Sequence, residues 1–227
     1  MLNMDGENNK PLRRNKKESN QLKQDILDVA ERQFKEYGYE KTTLQMIADE
    51  LNVTHGAIVY HFKNKHMILY DFFGKYTCAL TKYVYENPPD DLNKYLLYCI
   101  AYLKFFREIM KQERNRELFF QRDHLEYWVS GKLSEVERMY RLVADDFHKR
   151  LTEKDVRIAA VMDVGAKLRL YEFFQKGDSV TAEDFCYYQL YIIGEFSKLD
   201  EATIQRDMQR AYEYVDSHEM PTISLLD

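Results

Sequence analysis

The sequence contains few residues that interrupt regular secondary structure. Among its 227 residues there are only 8 glycines and 4 prolines, and such scarcity argues against a turn-rich β fold. No run of about 18 apolar residues without a charge is present, so we expect no membrane-spanning segment. The basic residues near the N-terminus are not followed by an apolar segment, so no secretory signal is expected either.

Cysteine is also sparse. The three cysteines, Cys78, Cys99 and Cys186, are odd in number and far apart in the sequence, which argues against a disulfide framework and a CxxC metal site. A reducing, cytoplasmic location is the simplest expectation.

The motifs of common enzyme and cofactor sites are missing. The sequence has no Gly-rich phosphate loop, GxSxG elbow or HExxH motif, and His124 and His148 stand alone among charged residues. The spacings of His55, His61 and His66 do not place them on one helical face, so they are not expected to bind a metal. We therefore expect no enzymatic activity, no cofactor and no metal.

Neither sign of charge is in large excess. The formal net charge is −5, so the chain as a whole is not expected to bind nucleic acid by charge alone. Residues 1–65 carry 11 Lys and Arg against 10 Asp and Glu, whereas the remainder carries 22 against 28. This mild asymmetry permits a nucleic-acid-binding N-terminal region without establishing one.

Helical periodicity extends over most of the chain, in which apolar residues make up 45%. Thr152 with Asp155, and Thr181 with Asp184, are spaced as N-terminal capping pairs, and Gly38 is expected to end the first helix. The sequence therefore predicts an all-α protein of about nine to ten helices. The predicted helices cover residues 19–37, 42–51 (with Thr43 as the alternative start), 54–61, 64–86, 90–113, 115–129, 132–150, 153–176, 181–197 and 199–217.

Residues 42–69, TTLQMIADELNVTHGAIVYHFKNKHMIL, read as a helix that breaks near Asn52 and restarts for barely two turns. Thr42 and Gln45 fit a capping box at its start, and Asn52 suits a left-handed turn residue. A helix as short as the second one buries little by itself, but in a helix-turn-helix it enters the DNA major groove while the first helix braces it. The residues expected to pack the two helices together are Ile47, Ala48, Leu51, Val53, Ile58 and Phe62.

Several short pieces of this region occur together in one known pattern. They are Gly38-Tyr39, Thr42-Thr43, Ile47-Ala48, Val53-Thr54, Gly56, Tyr60-His61-Phe62 and Lys63-Asn64-Lys65. In combination they resemble the DNA-binding region of the tetracycline-repressor (TetR) family of bacterial regulators. The sequence departs from the family at Asn52, where Gly is common, and at Val59, where the family commonly has a Tyr that contacts the DNA backbone; Tyr60 would partly replace it.

The resemblance implies an all-α homodimer. The expected parts are a flexible basic N-terminal arm over residues 1–18, a three-helix helix-turn-helix DNA-binding domain over 19–66, and a larger C-terminal effector-binding and dimerisation domain over 67–227. The implied function is a sequence-specific transcriptional regulator, a repressor that binds an inverted-repeat operator in double-stranded DNA and is released by a small-molecule effector. The alternative is a DNA-binding factor without small-molecule induction, which is constitutive or controlled by a partner.

The candidate DNA-binding residues are Thr42, Thr43, Thr54, His55, Gly56, Ala57, Tyr60, His61 and Lys65. Thr43 would contact a phosphate or serve only as a helix cap. Gly56 would allow close approach to DNA or close packing on the preceding helix. His61 would contact DNA or lie at the edge of the core. The basic residues of the arm would contact DNA or only keep the chain soluble.

The C-terminal two-thirds is rich in aromatic residues. Such residues at helical spacing usually form core, but buried tyrosine hydroxyls need partners, and a cavity lined by aromatic faces would suit an aromatic or hydrophobic effector. A solid core would favour the alternative without an effector, and a cavity of several hundred Å3 would favour the effector. The candidate pocket residues are Tyr98, Tyr102, Phe105, Phe106, Phe120, Trp128, Tyr171 and Phe174.

Small residues recur on the helices predicted over residues 153–197, and small side chains let helices approach closely. They would serve either a dimer contact, as the resemblance implies, or packing within one subunit. Two copies related by a two-fold axis would read half-sites roughly 34–36 Å or more apart. The candidate dimer-contact residues are Ala159, Met162, Ala166, Tyr187, Tyr191 and Gly194.

Overall fold

The computed structural model describes residues 16–120, 135–177 and 180–222. Within these residues all regular secondary structure is α-helical, which confirms the all-α prediction. The chain divides into two compact units, and the boundary along the sequence lies between Asn64 and Lys65. Among the described residues, none of the helices combines the length and apolar content needed to cross a lipid bilayer.

Three helices build the first unit. The long first helix buries one stripe in which Ile26, Ala30 and Phe34 have no exposed surface, because apolar residues recur at every third or fourth position. Gly38 ends it with a φ of 84°, in the left-handed region, and its N–H donates to the Phe34 carbonyl at 3.1 Å. The helices are α1 (Lys16–Tyr37), α2 (Leu44–Glu50) and α3 (His55–His61).

The second unit is a bundle in which α5 is central, since it packs against α4, α6, α9 and α10. Its helices are α4 (Lys65–Glu86), α5 (Lys94–Lys111), α6 (Glu113–Phe119), α7 (described over residues 135–146), α8 (Glu153–Gln175), α9 (Ala182–Phe196) and α10 (Glu201–Ser217).

Two of these helices begin with the predicted capping boxes. At α8, Thr152 Oγ1 accepts from the Asp155 N–H at 3.1 Å while the Asp155 carboxylate accepts from the Thr152 N–H at 2.9 Å. Thr181 and Asp184 repeat the arrangement at α9, at 3.0 and 2.9 Å. Hydrogen bonding to the Thr152 backbone, together with Lys198 nearby, lowers the pKa of Asp155. Both predicted caps are confirmed.

Aromatic rings fill the centre of the second unit. Phe105 and Phe119 have ring centroids 5.4 Å apart in an edge-to-face arrangement, and Phe106 meets Phe185 in the same way at 5.3 Å. Such pairs add to the free energy of burial, so α5, α6 and α9 are held together here by rings. The buried rings of this cluster are Phe73, Phe105, Phe106, Phe119, Phe120, Tyr171 and Phe185.

Two predicted helices differ from those observed. The helix predicted over residues 115–129 corresponds to α6, which ends at Phe119, and residues 121–134 lie outside the described part of the chain. The helix predicted over 132–150 stops after residue 146, where His148 takes a left-handed φ of 55°. A left-handed residue cannot continue a right-handed helix.

Candidate nucleic-acid interface

The segment from Thr43 to Ala57 forms a tight helix-turn-helix. Thr43 Oγ1 accepts from the Met46 N–H at 3.1 Å, and Thr54 Oγ1 accepts from the Ala57 N–H at 3.2 Å, so each short helix has a hydroxyl cap. Between them Asn52 takes a left-handed φ of 51°, which confirms the predicted turn residue. The Val53 N–H then donates to the Ala48 carbonyl at 3.0 Å.

The inner faces of α2 and α3 are locked together. Ile47, Ala48 and Ile58 have no exposed surface, and Phe62 is 1% exposed. Ala48 is small where the two helices approach, so the angle between them is set by a few well-packed side chains.

A polar brace ties α1 to α2. The Gln33 amide donates to the Met46 carbonyl at 3.2 Å and to the Glu50 carboxylate at 2.7 Å, and Arg32 also pairs with Glu50. Gln33 is 3% exposed. Gln33 was not among the predicted residues, although its position on the apolar stripe of α1, one turn after Ala30, indicates that it is buried.

The outer face of α3 is uncovered within the first unit. His55, Gly56 and Tyr60 are exposed, and Tyr60 is 81% exposed. Ala57 and His61 are partly exposed, and the rings of Tyr60 and His61 are perpendicular with centroids 5.1 Å apart. The structure therefore places five of the predicted DNA-binding residues on one short helix.

Gly56 has open space around it. The nearest atom to the position of an added Cβ is Thr54 Oγ1, at 3.9 Å, so no side chain or backbone of α2 crowds this position. The alternative that Gly56 serves close packing on the preceding helix is therefore wrong.

Thr42 does not belong to the interface. It has no exposed surface, and its hydroxyl donates toward the carbonyls of Gln33 and Gly38, at 3.1 and 3.0 Å. A hydroxyl buried in this way ties the end of α1 to the start of α2 and cannot reach a phosphate. The predicted DNA contact and the capping role of Thr42 are both wrong, because Thr43 is the N-cap of α2 and is exposed.

The remaining predicted DNA-binding residues lie outside α2 and α3. Lys65 is the first residue of α4, which belongs to the second unit. Of the predicted arm, residues 1–15 lie outside the described part, and Lys16 and Lys17 are exposed residues at the start of α1.

The second unit contains a cavity of about 420 Å3 between α4, α5 and α7. Of the predicted pocket residues, Tyr102 and Phe105 line it. The contribution of α4 was not predicted, although Gly74 indicates it, because glycine weakens a helix and leaves a gap. The lining residues are Tyr70, Asp71, Phe73, Gly74, Lys75, Thr77, Cys78, Tyr102, Phe105, Glu135 and Val136.

The other predicted pocket residues do not line this cavity. Phe106, Phe120 and Tyr171 are buried, and Phe120 stacks on Tyr171 with centroids 3.6 Å apart. They pack as core beside the cavity, and a role for them in lining a pocket stays a prediction. Tyr98 and Phe174 are partly exposed elsewhere on the unit. Trp128 lies outside the described residues.

A buried ion pair lies behind one wall of the cavity. Lys167 Nζ is 2.6 Å from the Asp163 carboxylate, with side chains 8% and 0% exposed. The same Nζ lies 5.8 Å from the centroid of the Tyr102 ring and 5.9 Å from that of Phe106. Burial, and then the Asp163 carboxylate, raise the pKa of Tyr102. This pair was not predicted, although an acid and a base one helical turn apart indicate it.

Two of the predicted dimer-contact residues are buried within their own chain. Ala159 is 2% exposed, and a Cβ added to Gly194 would lie 2.6 Å from Ile204 Cγ1. These small residues therefore serve packing inside the subunit, and the prediction that they meet a partner is wrong. Ala166, Tyr187 and Tyr191 are partly exposed, and the Tyr191 hydroxyl donates to Glu201 at 2.9 Å.

A different set of residues forms an uncovered apolar face on α8. Met162, which was predicted, is 52% exposed, and Ile158, Val161 and Phe173 are 47%, 53% and 42% exposed. Tyr188 on α9 is also large and exposed, at 48%. Ile158, Val161, Phe173 and Tyr188 were not predicted, because the predicted dimer contact depended on small residues and not on apolar residues outside the buried stripe of α8.

Comparison with known proteins finds sequence matches in the first unit and at the start of α4. The sequence model described as bacterial regulatory proteins, tetR family, matches residues 26–70. The transcriptional regulator AcrR of Shigella flexneri is 47% identical over 53 residues, or 23% of this chain and 25% of AcrR. The regulator TtgR of Pseudomonas putida is 44% identical over 54 residues, or 24% of this chain and 26% of TtgR. The matches thus span about a quarter of the length of these relatives.

Among solved structures, that of RolR in complex with resorcinol matches with a TM-score of 0.58 and 14% identity, over 92% of this chain and 100% of RolR. At that identity the match shows a shared fold over nearly the whole described chain. Over residues 26–70, the chain is similar to the tetR family of bacterial regulatory proteins.

Proposed function

We propose that the protein is a dimeric, sequence-specific transcriptional regulator that inserts α3 of each copy into the major groove of an inverted-repeat operator. The observation that carries this proposal is the two-sided character of α3: Ile58 is fully buried, whereas Tyr60 is 81% exposed. The groove is about 12 Å wide and admits one helix, whose exposed residues read the base edges.

The start of α3 would contact bases. The imidazole of His55 can donate or accept a hydrogen bond at a base edge, and the methyl group of Ala57 can contact a thymine methyl. Gly56 lets the helix backbone approach the bases closely, and the open space around it in the first unit supports this role.

Hydroxyl and basic groups around α3 would contact the DNA backbone. Thr43 and Thr54 accept backbone N–H groups with their oxygens, so each hydroxyl proton remains available for a phosphate oxygen. Tyr60 and His61 would reach phosphate or sugar one turn further along α3, and Lys65 would pair with a phosphate. Such contacts fix the register of a protein on DNA.

The exposed apolar face of α8 supports a homodimer. Ile158, Val161 and Met162 would lose water contact against the same face of a second copy, and Tyr188 of α9 would extend the contact. A two-fold axis makes such an interface self-complementary. Two copies of α3 would then read half-sites about 34–36 Å or more apart.

The cavity beside α4 supports control by a small molecule. Its volume of about 420 Å3 lies in the range of ligand sites in proteins. Residues of α4 line the cavity, and α4 follows α3 in the chain after Asn64. The protein would act as a repressor whose effector favours a conformation with lower operator affinity, because a ligand shifts an equilibrium only by binding one state better.

The closed aromatic core supports the alternative, a DNA-binding factor without small-molecule induction. Phe120 stacks on Tyr171 with ring centroids 3.6 Å apart, and Phe106 is also buried, so these predicted pocket residues pack as core in the described part of the chain. In either case the proposal includes no enzymatic reaction.

Selection of bound sequences from a random pool of double-stranded DNA tests the proposal directly. We expect an inverted repeat whose half-sites are centred about one helical turn or more apart. Recovery of a single, asymmetric site, or of no consensus, would contradict a symmetric pair of reading helices.

The variant Gly56→Ala tests the role of α3, with Gly74→Ala as its matched control. Both glycines are helical with open space, so both variants gain helix propensity of about 1 kcal/mol. We expect Gly56→Ala to weaken operator binding by about tenfold, and Gly74→Ala to leave it within about twofold, in fluorescence anisotropy without any small molecule. Equal affinities for the two variants would show that α3 does not face DNA.

A further inference from the structure

Five polar side chains lie close together inside the second unit, next to the cavity beside α4. They come from α5, α7, α8 and α9, and four of the five are buried, whereas Tyr102 is partly exposed. We call this set the polar layer, and its members are Tyr102, Tyr140, Asp163, Lys167 and Gln189.

Contacts connect the polar layer to the cavity. Lys167 Nζ lies 5.8 Å from the centroid of the Tyr102 ring, which lines the cavity, and 2.6 Å from the Asp163 carboxylate. On α7, Tyr140 comes one helical turn after Val136, which is another lining residue. Residues one turn apart lie on the same face of a helix, so Tyr140 continues the wall of the cavity inward.

Gln189 brings α9 into the same layer. It lies one helical turn after Phe185, whose ring meets that of Phe106 with centroids 5.3 Å apart. The ring of Phe106 is also 5.9 Å from Lys167 Nζ. Gln189 therefore lies at the level of the buried ion pair, and it has no exposed surface.

Several hydrogen-bonding atoms of the polar layer lack a partner. Within the described part of the chain, Asp163 Oδ1, the Tyr140 hydroxyl and both amide atoms of Gln189 are buried and make no hydrogen bond. Buried polar groups are almost always hydrogen-bonded, because an unsatisfied one costs free energy. Burial raises the pKa of Tyr140, and the Asp163 carboxylate raises it further, so this hydroxyl and this carboxylate are near each other. The layer can thus donate and accept hydrogen bonds at one place.

The charges near this place are already paired. Asp163 and Lys167 balance each other within α8. The charged residues that line the cavity, Asp71, Lys75 and Glu135, also interact with other parts of the chain. A charged ligand would bring an unpaired charge into the interior, which costs much more than burying a hydrogen-bonded neutral group.

We infer that the cavity and the polar layer together bind an uncharged aromatic compound that bears a hydroxyl group. Its ring lies beside Phe73 and Phe105, which line the cavity, and its hydroxyl donates to Asp163 Oδ1 and accepts from the hydroxyl of Tyr140. Because these two atoms are closed to solvent, the partly exposed ring of Tyr102 moves aside when the ligand binds. This inference rests on the proposed function, since it names the chemical class of the proposed effector. The movement of Tyr102 supplies the second conformation that an effector must favour.

Four probe molecules with the same ethylbenzene body separate hydrogen bonding from apolar fit. They are 4-ethylphenol, 4-ethyltoluene with a methyl group in place of the hydroxyl, 4-ethylanisole, whose methyl ether accepts but cannot donate, and the anion 4-ethylbenzoate. In isothermal titration calorimetry at neutral pH with the full chain and no DNA, we expect 4-ethylphenol to bind at least about tenfold more tightly than each of the others. Equal or tighter binding of any of the three overturns the inference.

Cys78 reports whether the phenol occupies this cavity. It lines the cavity and is exposed, whereas Cys99 and Cys186 are buried, so a maleimide reagent should label Cys78 faster than the other two. A saturating concentration of 4-ethylphenol should slow this labelling at least about fivefold, because it covers the thiol. Labelling at an unchanged rate would show that the phenol binds elsewhere, and the inference would fail.

Tyr140→Phe tests the inferred hydroxyl contact, with Tyr95→Phe as its matched control. Both tyrosines have no exposed surface, but the Tyr95 hydroxyl donates to the Leu190 carbonyl at 3.1 Å. We expect Tyr140→Phe to bind 4-ethylphenol about tenfold more weakly and 4-ethyltoluene within about twofold of the wild type. Tyr95→Phe should bind both probes as the wild type does. If the two variants bind 4-ethylphenol equally, Tyr140 is not its partner and the inference is wrong.

Thermal unfolding of the same variants without any probe gives a second, independent readout. Tyr95→Phe loses a hydrogen bond and should lower the Tm by about 2–4 °C. Tyr140→Phe removes a buried hydroxyl that lacks a partner among the described residues, so its Tm should be no lower than that of the wild type. An equal fall in both variants would show that the Tyr140 hydroxyl is already satisfied in the free protein, and the inference would be overturned.

Operator binding is measured separately on the selected DNA. Intact operator binding together with failure of 4-ethylphenol to bind would refute this inference alone. Failure to bind any specific DNA would refute the proposed function, whatever the calorimetry of the cavity shows.

Discussion

Two helices of this protein present uncovered faces, and the faces have opposite chemistry. The outer face of α3 carries His55, Gly56 and Tyr60, whereas that of α8 carries Ile158 and Met162 beside other apolar side chains. A mainly polar face is stable in water before and after it meets a partner, but a contiguous apolar face is not. The face of α3 therefore suits a partner that is bound and released, and the face of α8 suits one that stays.

Met162→Glu should have the largest effect, because it attacks the proposed permanent contact. A two-fold interface would bury the new carboxylate twice, at several kcal/mol each. We expect dimerisation to weaken by at least about 1000-fold, measured by sedimentation equilibrium, and operator affinity to fall with it.

Tyr85→Glu is the control for this variant. Tyr85 on α4 is 52% exposed, as Met162 is, and its hydroxyl accepts from Lys94 Nζ at 2.9 Å, so a glutamate can keep that partner. We expect Tyr85→Glu to remain a dimer. If Met162→Glu also remains a dimer, α8 does not form the dimer contact, and its apolar face does not bind a permanent second copy.

His55→Ala should have the next largest effect, and on DNA alone. Loss of one contact to a base edge is typically worth about 1–3 kcal/mol, so we expect operator affinity to fall about 10-fold to 100-fold with the dimer intact. Binding to a scrambled DNA of equal length should change by less than about twofold. An equal loss on both DNAs would mean that His55 contacts the backbone and does not read bases.

Thr42→Val and Thr43→Val compare two neighbouring hydroxyls, of which one is buried and the other exposed. Thr42→Val removes the hydroxyl that donates to the Gln33 and Gly38 carbonyls, of which the Gly38 carbonyl keeps the Thr42 N–H, and should lower the free energy of unfolding by about 1–2 kcal/mol, with unchanged operator affinity. Thr43→Val removes the cap of α2, which costs about 1 kcal/mol, and should also weaken operator binding about threefold. Urea unfolding and anisotropy measure the two quantities; a loss of operator affinity only in Thr42→Val would reverse our assignment.

Asn52 should give the smallest effects. At a φ of 51° an alanine meets the steric penalty of the left-handed region, so Asn52→Ala should destabilise the protein by about 1 kcal/mol. Asn52→Gly meets no such penalty and should change stability by less than about 0.5 kcal/mol. The difference between the two variants in thermal unfolding measures the strain at the turn, and no difference would mean that the turn adopts another conformation.

The features that the sequence predicted correctly depend on residues close together in the chain. The capping boxes at Thr152 and Thr181 and the turn at Asn52 are decided within about four residues, where propensity and local hydrogen bonds dominate. The helix-turn-helix belongs to the same class, since its two helices are adjacent and their apolar residues follow one period.

The features that the sequence missed depend on contacts between distant segments. The brace of Gln33 to Glu50, the approach of Gly194 to Ile204 and the cavity between α4, α5 and α7 exist only after helices have packed. Thr42 and Thr43 show the limit most plainly, because two identical neighbouring side chains point into different surroundings. Periodicity assigned aromatic residues to the second unit but could not show which of them fill its centre and which line a space.

The ring of Tyr102 lies between the cavity and α8, so a single side chain separates the two. On one side of its ring is the cavity, and on the other is Lys167 of α8, the helix whose far surface is apolar and uncovered. A molecule that displaces this ring changes the surroundings of the buried ion pair without passing through any other layer of the bundle. An occupied cavity and a second chain bound to the far surface of α8 would therefore be separated by the width of one ring and one helix.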